Sequence, residues 1–274
     1  MVRCRGCGLL LTWPRPTTAE LEALYARAAY YDEHGMGEAT AAPAAWEQRA
    51  AGILARLPRP LTRALDFGAG QGHLTHALRN RGLAAEGFEP SLAGRQAAQE
   101  RYRLALWDSL PEVVDPAFEL VTLIHSLEHV PHPLLALRQL HSLLAPGGIV
   151  YIEVPHPGSL AMWRAERRRA LLDLPFHLYH FLPKTLAALV EQAGFQVLQL
   201  GLANPAFVER LLSRRQRRAV SLAQVSQAGE DRRPGRLSLH SPAGIRRLWA
   251  GTVLPGLRRL LPGDHFHLIA VRPA

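Results

Sequence analysis

"LDFGAGQGHL", residues 65–74, sets three glycines at alternate positions, with Asp66 two residues before the first of them. A short apolar run, Ala64 to Phe67, leads into the stretch and an amphipathic one leaves it. That order reads as strand, tight turn, helix. The spacing is G-x-G-x-G, at 68, 70 and 72. A dinucleotide-binding loop reads G-x-G-x-x-G, and its third glycine would fall at position 73, where His73 stands. The Gly-Lys-Ser/Thr of a phosphate-binding loop is missing too. A pyrophosphate needs the helix N-terminus as an anion site, and a carboxylate just before the loop opposes it. The same carboxylate suits a ligand that carries an ammonium or a sulfonium.

The chain on either side alternates. A helix is expected from Trp46 to Leu57, then the strand before the glycine loop, then a helix from Gln71 to Arg81 that stops at Gly82. "AAEGFEP" is a strand, followed by a helix from Ser91 to Tyr102. "FELVTLI" and "IVYIEVP" are apolar enough for strands buried on both faces, with the helix "PLLALRQLHSLLAPGG" between them. "PKTLAALVEQAG" and "FQVLQL" continue the pattern as helix and strand. Strands alternating with helices of ten or more residues imply an α/β fold, a doubly wound and mostly parallel sheet. After a long excursion, "HFHLIAVRP" is expected as an antiparallel strand at the edge of that sheet.

The 274 residues allow one large domain with appendages. We expect a preamble at 1–45, a ligand-binding core at 46–203, a basic helical insertion at 204–264 and a last strand at 265–274. No apolar run reaches the ~20 residues of a membrane span, and no secretory leader is seen, so a cytoplasmic protein is expected. The net charge is +9, and all but one of the 32 basic residues are arginine. Residues 201–274 hold 13 arginines against four acids. Such a tail attracts nucleic acid or another anion, or is simply a solvated face, which is the reading preferred here. In the preamble, Thr17 or Thr18 is placed to cap a helix with Glu20.

The strand after the glycine loop ends in "GFEP", so Glu89 stands at its carboxyl end, 17 residues beyond Gly72. A carboxylate there accepts the two hydroxyls of a ribose. A cationic amino acid group beside Asp66 and a ribose beside Glu89 together describe S-adenosylmethionine. With these residues in view, the chain resembles the class I S-adenosylmethionine-dependent methyltransferases. "LDFGAGQG" resembles their first motif and "GFEPS" their second. "FELVTLIHSLEHVPHPLLALRQLHSLLAPGGIVYIEVP" resembles their fourth strand, its helix and the fifth strand. "HLYHFLPKTLAALVEQAGFQV" resembles the passage to the sixth strand. The subgroup is similar to the ubiquinone-type O-methyltransferases and to enzymes that modify sugars and natural products.

The resemblance implies a seven-stranded sheet with an antiparallel last strand. It also implies that Asp66, Gly68, Gly70 and Gly72 hold the methionine part of the donor, with Glu89 on its ribose. Asp108 would lie near the adenine amino group, and His125 would line the donor pocket. Tyr30 or Tyr31 would close over it. S-adenosylhomocysteine would be the product.

"HSLEH" sets His125, Glu128 and His129 within five residues. As text it matches a zinc-protease signature, but that signature needs a helix, and here a buried strand leads into Pro131. A divalent metal at this turn stays open, although the ubiquinone-type enzymes carry an acid where this chain has His125. Methyl transfer to oxygen or nitrogen benefits from a general base, and histidine suits neutral pH. His129, His156, His177 and His180 fall on segments expected at the carboxyl end of the sheet. We take His129 first and His177 second as catalytic residues. Cys4 and Cys7 have the spacing of half a zinc knuckle, while structural zinc takes four ligands. The pair, even with His34, is therefore not expected to hold zinc. The preambles of the resembling enzymes carry an earlier cysteine pair, so either the start lies downstream of the true one or the pair is the remnant of a decayed metal site.

The expected function is methyl transfer from S-adenosylmethionine to oxygen, nitrogen or carbon of a small-molecule acceptor. Two alternatives are a methyltransferase acting on RNA or another anionic polymer, and a donor-binding module without turnover. An Asn-Pro-Pro-Tyr-like motif of amide methylation is missing after the fourth strand. Oligomeric state is not legible.

Overall fold

The computed structural model describes residues 1–25, 43–110, 118–159, 172–203 and 265–273. The expected basic insertion at 204–264, together with Tyr30, Tyr31 and His34, lies outside these residues. The main sheet has six strands: β3 (Arg63–Phe67), β4 (Ala84–Phe88), β5 (Phe118–Ile124), β6 (Leu144–Pro155), β8 (Gln196–Ala203) and β9 (His265–Val271). Their spatial order is β4-β3-β5-β6-β9-β8. β4, β3, β5 and β6 run parallel, and β9 is antiparallel to both its neighbours.

Helices cover both faces. α2 (Pro43–Leu54) and α3 (His73–Asn80) bury Ala50, Ile53, Leu74, Ala77 and Leu78 against Ala64, Leu120, Ile149 and Ile269 of the sheet. On the other face, α5 (Pro133–Leu143) and α6 (Pro183–Gln192) bury Leu137, Leu140, Leu186 and Val190 against Leu65, Val121, Val150 and Leu268. Alternate residues of one strand thus feed opposite cores, which is why the central strands read as unbroken apolar runs. α4 (Leu92–Tyr102) begins at Ser91, whose hydroxyl accepts the Gly94 amide.

The sheet departs from expectation in two ways. Six strands are present among the described residues instead of seven. The remaining position, Leu104–Trp107, is reduced to one parallel bridge between Phe88 and Trp107. Arg103 turns the chain through the left-handed region (φ 56°), and too few residues follow to build a ladder. In addition, β9 is not the edge strand. It inserts between β6 and β8 and is almost wholly buried, whereas β8 takes the edge, with Leu198 and Leu200 exposed. Arg272, just past β9, reaches back to the carbonyls of His141 and Leu144 at the end of α5.

A second, small sheet was not foreseen. β1 (Val2–Arg3) pairs with β2 (Leu10–Leu11), and β2 pairs with β7 (Tyr179–His180), both antiparallel. The preamble is therefore stitched to the segment that leads into α6. The capping reading holds: in α1 (Thr18–Tyr25), the Thr17 amide donates to Glu20 Oε2 at 2.7 Å and the Glu20 amide to Thr17 Oγ1 at 3.3 Å. Cys4 and Cys7 lie in the turn between β1 and β2, where the amides of Cys7 and Gly6 pull the Cys4 thiol pKa below its ordinary value.

Candidate active site

All three loop glycines adopt left-handed backbone, with φ of 75° at Gly68, 54° at Gly70 and 78° at Gly72. Only glycine takes that conformation without penalty, so the alternate spacing is dictated by the turn. A Cβ at Gly68 would stand 2.6 Å from Ser126 Cβ, so the loop lies directly against the turn after β5. The loop is tied to the neighbouring strand: the amides of Gly68 and Ala69 both donate to the Phe88 carbonyl, at 2.8 and 2.9 Å. Glu89 is buried. Its Oε2 accepts the Gly70 amide at 2.8 Å and its Oε1 the Ser91 amide at 2.9 Å. The acid of the second motif thus holds the loop of the first.

Asp66 lies on the α2/α3 face of β3 and is 2% exposed. Its two oxygens accept the hydroxyls of Thr75 and Thr122, each at 2.9 Å. Burial pushes its pKa up to about 6, against the pull of those hydroxyls. Asp66 therefore locks β3, β5 and α3 together beneath the loop. His73, which stands where a dinucleotide loop wants glycine, is a core residue. Its ring stacks on Trp46 with centroids 5.5 Å apart, and its Nδ1 meets the Tyr102 hydroxyl at 2.7 Å. Burial lowers its pKa to about 4, so it packs as a neutral ring. Asp108 is exposed just past Trp107, with the Ser109 hydroxyl donating to it at 3.2 Å.

Beyond Ser126, a single 3-10 turn spans Leu127–His129. It brings the sequence's histidine-rich stretch onto residues far away in the chain. Glu128 is 1% exposed, and among the described residues neither of its carboxylate oxygens has a hydrogen-bond donor from another residue. His125 Nδ1 lies 3.6 Å from Glu128 Oε1, and His177 Nε2 lies 3.9 Å from the same oxygen. The His129 and His177 rings meet edge to face, with centroids 4.6 Å apart. Asp173 Oδ2 approaches His177 Nε2 at 3.8 Å. Glu128, His129 and His177 offer ligand or proton-accepting atoms all within 4.8 Å of one another. Burial raises the Glu128 pKa to about 7, with His177 pulling it back down. A carboxyl poised there exchanges protons at neutral pH.

His125 is held at φ 51°, a strained backbone for a non-glycine residue, by its amide donating to the Glu153 carbonyl at 2.9 Å. Its ring sits among Glu128, Glu153 (Nε2 to Oε1, 3.6 Å) and His265, whose ring lies 4.5 Å away. Burial lowers its pKa to about 4. His125, Glu153 and His265 form a second close trio, in which Glu153 also takes an ion pair from Arg49 at 2.5 Å. His156 is buried against Phe266, and His180 is buried beside His177, their rings 6.3 Å apart.

Sequence reasoning missed Glu153, Asp173, His265 and Thr12. Glu153 had a signal, as the one acid inside the apolar strand "IVYIEVP". His265 had a weaker one, in the alternation "HFHLIAV".

The family model of the methyltransferase domain matches residues 25–200. A ubiquinone biosynthesis O-methyltransferase of Xanthomonas campestris is 32% identical over 160 residues, which span 53% of this chain and 67% of that protein. One of Pseudomonas aeruginosa is 29% identical over 150 residues, 49% of this chain and 65% of that protein. A methyltransferase structure from Archaeoglobus fulgidus superposes with a TM-score of 0.57 at 18% identity, covering 88% of this chain and 97% of that one. Phosphoethanolamine N-methyltransferase 2 of Haemonchus contortus, solved with S-adenosylmethionine, gives 0.53 at 18% identity, over 93% of this chain and 60% of that one. These two likenesses concern the fold. No described helix is long and apolar enough to cross a membrane. The glycine turn, the two strand-end acids and the family match converge: the chain belongs to the methyltransferase-domain family and is a class I S-adenosylmethionine-dependent methyltransferase.

Proposed function

We propose that this methyltransferase modifies a hydroxyl or amine of a small-molecule acceptor, with His129 taking the acceptor's proton and His177 supporting it. One juxtaposition carries the reading. Glu128, His129 and His177 gather one turn beyond Ser126, which itself packs under Gly68 of the donor loop. The hydroxyl option draws support from relatives named as O-methyltransferases. The RNA and non-catalytic alternatives receive no such support.

When bound, S-adenosylmethionine supplies an already activated methyl on a sulfonium and leaves as S-adenosylhomocysteine. The chain's task is to position and to move one proton. Gly68, Gly70 and Gly72 leave room for the donor at the mouth of α3, and the buried negative charge of Asp66 favours its cationic end. Glu89 at the end of β4 suits the ribose, and Asp108 the adenine edge. As the acceptor oxygen or nitrogen attacks the methyl carbon, its proton passes to the His129 imidazole. Glu128 and His177 stabilise the charge that forms there. We assign His125 to the acceptor side, with Glu153 and His265, instead of to the donor pocket. The preamble, the 46–203 core and the 204–264 insertion are proposed as lid, donor domain and acceptor wall.

Two outcomes are expected. Glu89→Ala removes the acceptor of the Gly70 and Ser91 amides and should weaken S-adenosylhomocysteine roughly 10- to 100-fold by calorimetric titration. An unchanged affinity would remove Glu89 from the donor site. His129→Ala should leave that affinity alone and lower transfer to a hydroxyl-bearing acceptor by roughly 100-fold or more. Transfer that stops on chelation and returns with magnesium would make the trio a metal site in place of a base.

A further inference from the structure

Residues 177–180 are the middle rung of a backbone ladder. On one side, the Leu178 amide donates to the Glu128 carbonyl at 2.8 Å. On the other, the Thr12 amide donates to the Leu178 carbonyl at 3.1 Å, extending the β2–β7 pairing. The N-terminal strand therefore backs the segment that carries His177 and His180. Thr12 is buried and does more than continue the strand. Its Oγ1 donates to the His177 carbonyl at 2.5 Å and lies 3.0 Å from His180 Nε2.

A threonine hydroxyl has one proton and can accept at its lone pairs. Once that proton is given to the His177 carbonyl, the contact with His180 requires a donor on the histidine side. His180 must then carry hydrogen on Nε2. Burial pushes its pKa down to about 4, so near pH 7 the ring is neutral and its other nitrogen bears the lone pair. The His180 ring stands 6.3 Å from that of His177, which in turn meets His129 at 4.6 Å.

We propose that Thr12 is a positioning residue: its hydroxyl sets His180 as the Nε2–H tautomer and pins the His177 backbone, so that the N-terminal strand is part of the acceptor side of the active site. This rests on the reading that His177 serves the acceptor. The hydroxyl acts through two groups at once, one carbonyl and one ring nitrogen. Valine has the same shape and can serve neither, so both contacts of the hydroxyl are lost. Serine can serve both.

The test is a long-range proton–nitrogen correlation spectrum of the imidazoles in the nitrogen-15-labelled, ligand-free full chain, with His180 assigned by His180→Gln. The wild-type spectrum should give the Nε2–H pattern for His180. Thr12→Val should lose it, in favour of the other tautomer or a mixture, and shift the His177 ring signals. Thr12→Ser should restore it. S-adenosylhomocysteine affinity should be the same in all three proteins, which keeps the result independent of the donor site. His180 protonated on Nδ1 in the wild type overturns the proposal, and that measurement does not depend on the valine variant folding. So does a valine variant whose His180 and His177 signals match the wild type, whatever its donor affinity.

Discussion

Glu128→Gln should make the ligand-free, chelator-treated protein more stable at pH 8 while lowering its methyl transfer by two orders of magnitude or more. The carboxyl is buried with no hydrogen-bond donor from another of the described residues, and burial raises its pKa from 4.5 to about 7. The folded state therefore keeps a proton that the unfolded chain releases between pH 4.5 and 7. The stability this group contributes is fully present below pH 4.5 and is lost as pH rises through 7. At about 1.4 kcal/mol per pH unit, the penalty above pH 7 approaches ~3 kcal/mol, an upper bound for a site that can relax. Glutamine keeps the shape and removes the charge, so no buried carboxyl has to ionise as pH rises. Thermal melts at pH 8 and pH 4.5 check this. The variant should melt higher at pH 8, and the gap should close at pH 4.5. A variant less stable than wild type at pH 8 would mean that the carboxylate is well partnered in solution, and the proton-handling role would fall with it. Groups that cost stability in this way cluster at functional sites.

Asp66 has the same character, with its pKa raised to about 6 by burial. Both acids are held out of water. Both were legible in the sequence. Asp66 stands out because local chemistry marks it, an acid at a strand end beside glycines that need left-handed backbone, and Glu89 because it ends the next strand. Likewise the histidines of "HSLEH" stood out within five residues. The helices and central strands were readable from period and apolar runs, each a property of a dozen neighbouring residues.

What escaped depends on contacts between distant parts of the chain. β2 and β7 are two-residue strands some 170 positions apart, too short to leave a period. The partners of His125 come from β6 and from the start of β9, and neither segment signals the other. The insertion of β9 between β6 and β8 follows from burial on both faces, which one strand's sequence shares with any buried strand. His125 illustrates the limit well. Its place after β5 suggested the donor pocket, and its left-handed φ sets the ring beside Glu128, Glu153 and His265. Backbone reversal at one residue cannot be read from residue type when that residue is not glycine.

The largest effect on donor binding is expected from one methyl group at Gly68. Its φ of 75° lies in the region where an L side chain costs about 1–2 kcal/mol. The added Cβ would also stand 2.6 Å from Ser126 Cβ, closer than two carbons can sit. The clash cannot be relieved by a flexible chain end. Ser126 precedes the 3-10 turn, and the His129 amide donates to the Ser126 carbonyl at 3.1 Å, so the neighbour is itself anchored. The loop must move instead, breaking the amide contacts to Phe88 and Glu89 that hold it. Gly68→Ala should therefore weaken S-adenosylhomocysteine by roughly 100-fold, near 2.7 kcal/mol, and lower the melting temperature as well. Gly82→Ala separates the two causes. Gly82 has a φ of 87° and nothing within 4 Å of its Cβ position, at the exposed end of α3. It should lose comparable backbone stability and leave donor affinity intact. Equal losses of affinity in both variants would trace the effect to general destabilisation. No loss at Gly68 would show that the loop does not form the donor site, and the contact between donor loop and acceptor turn would lose its functional meaning.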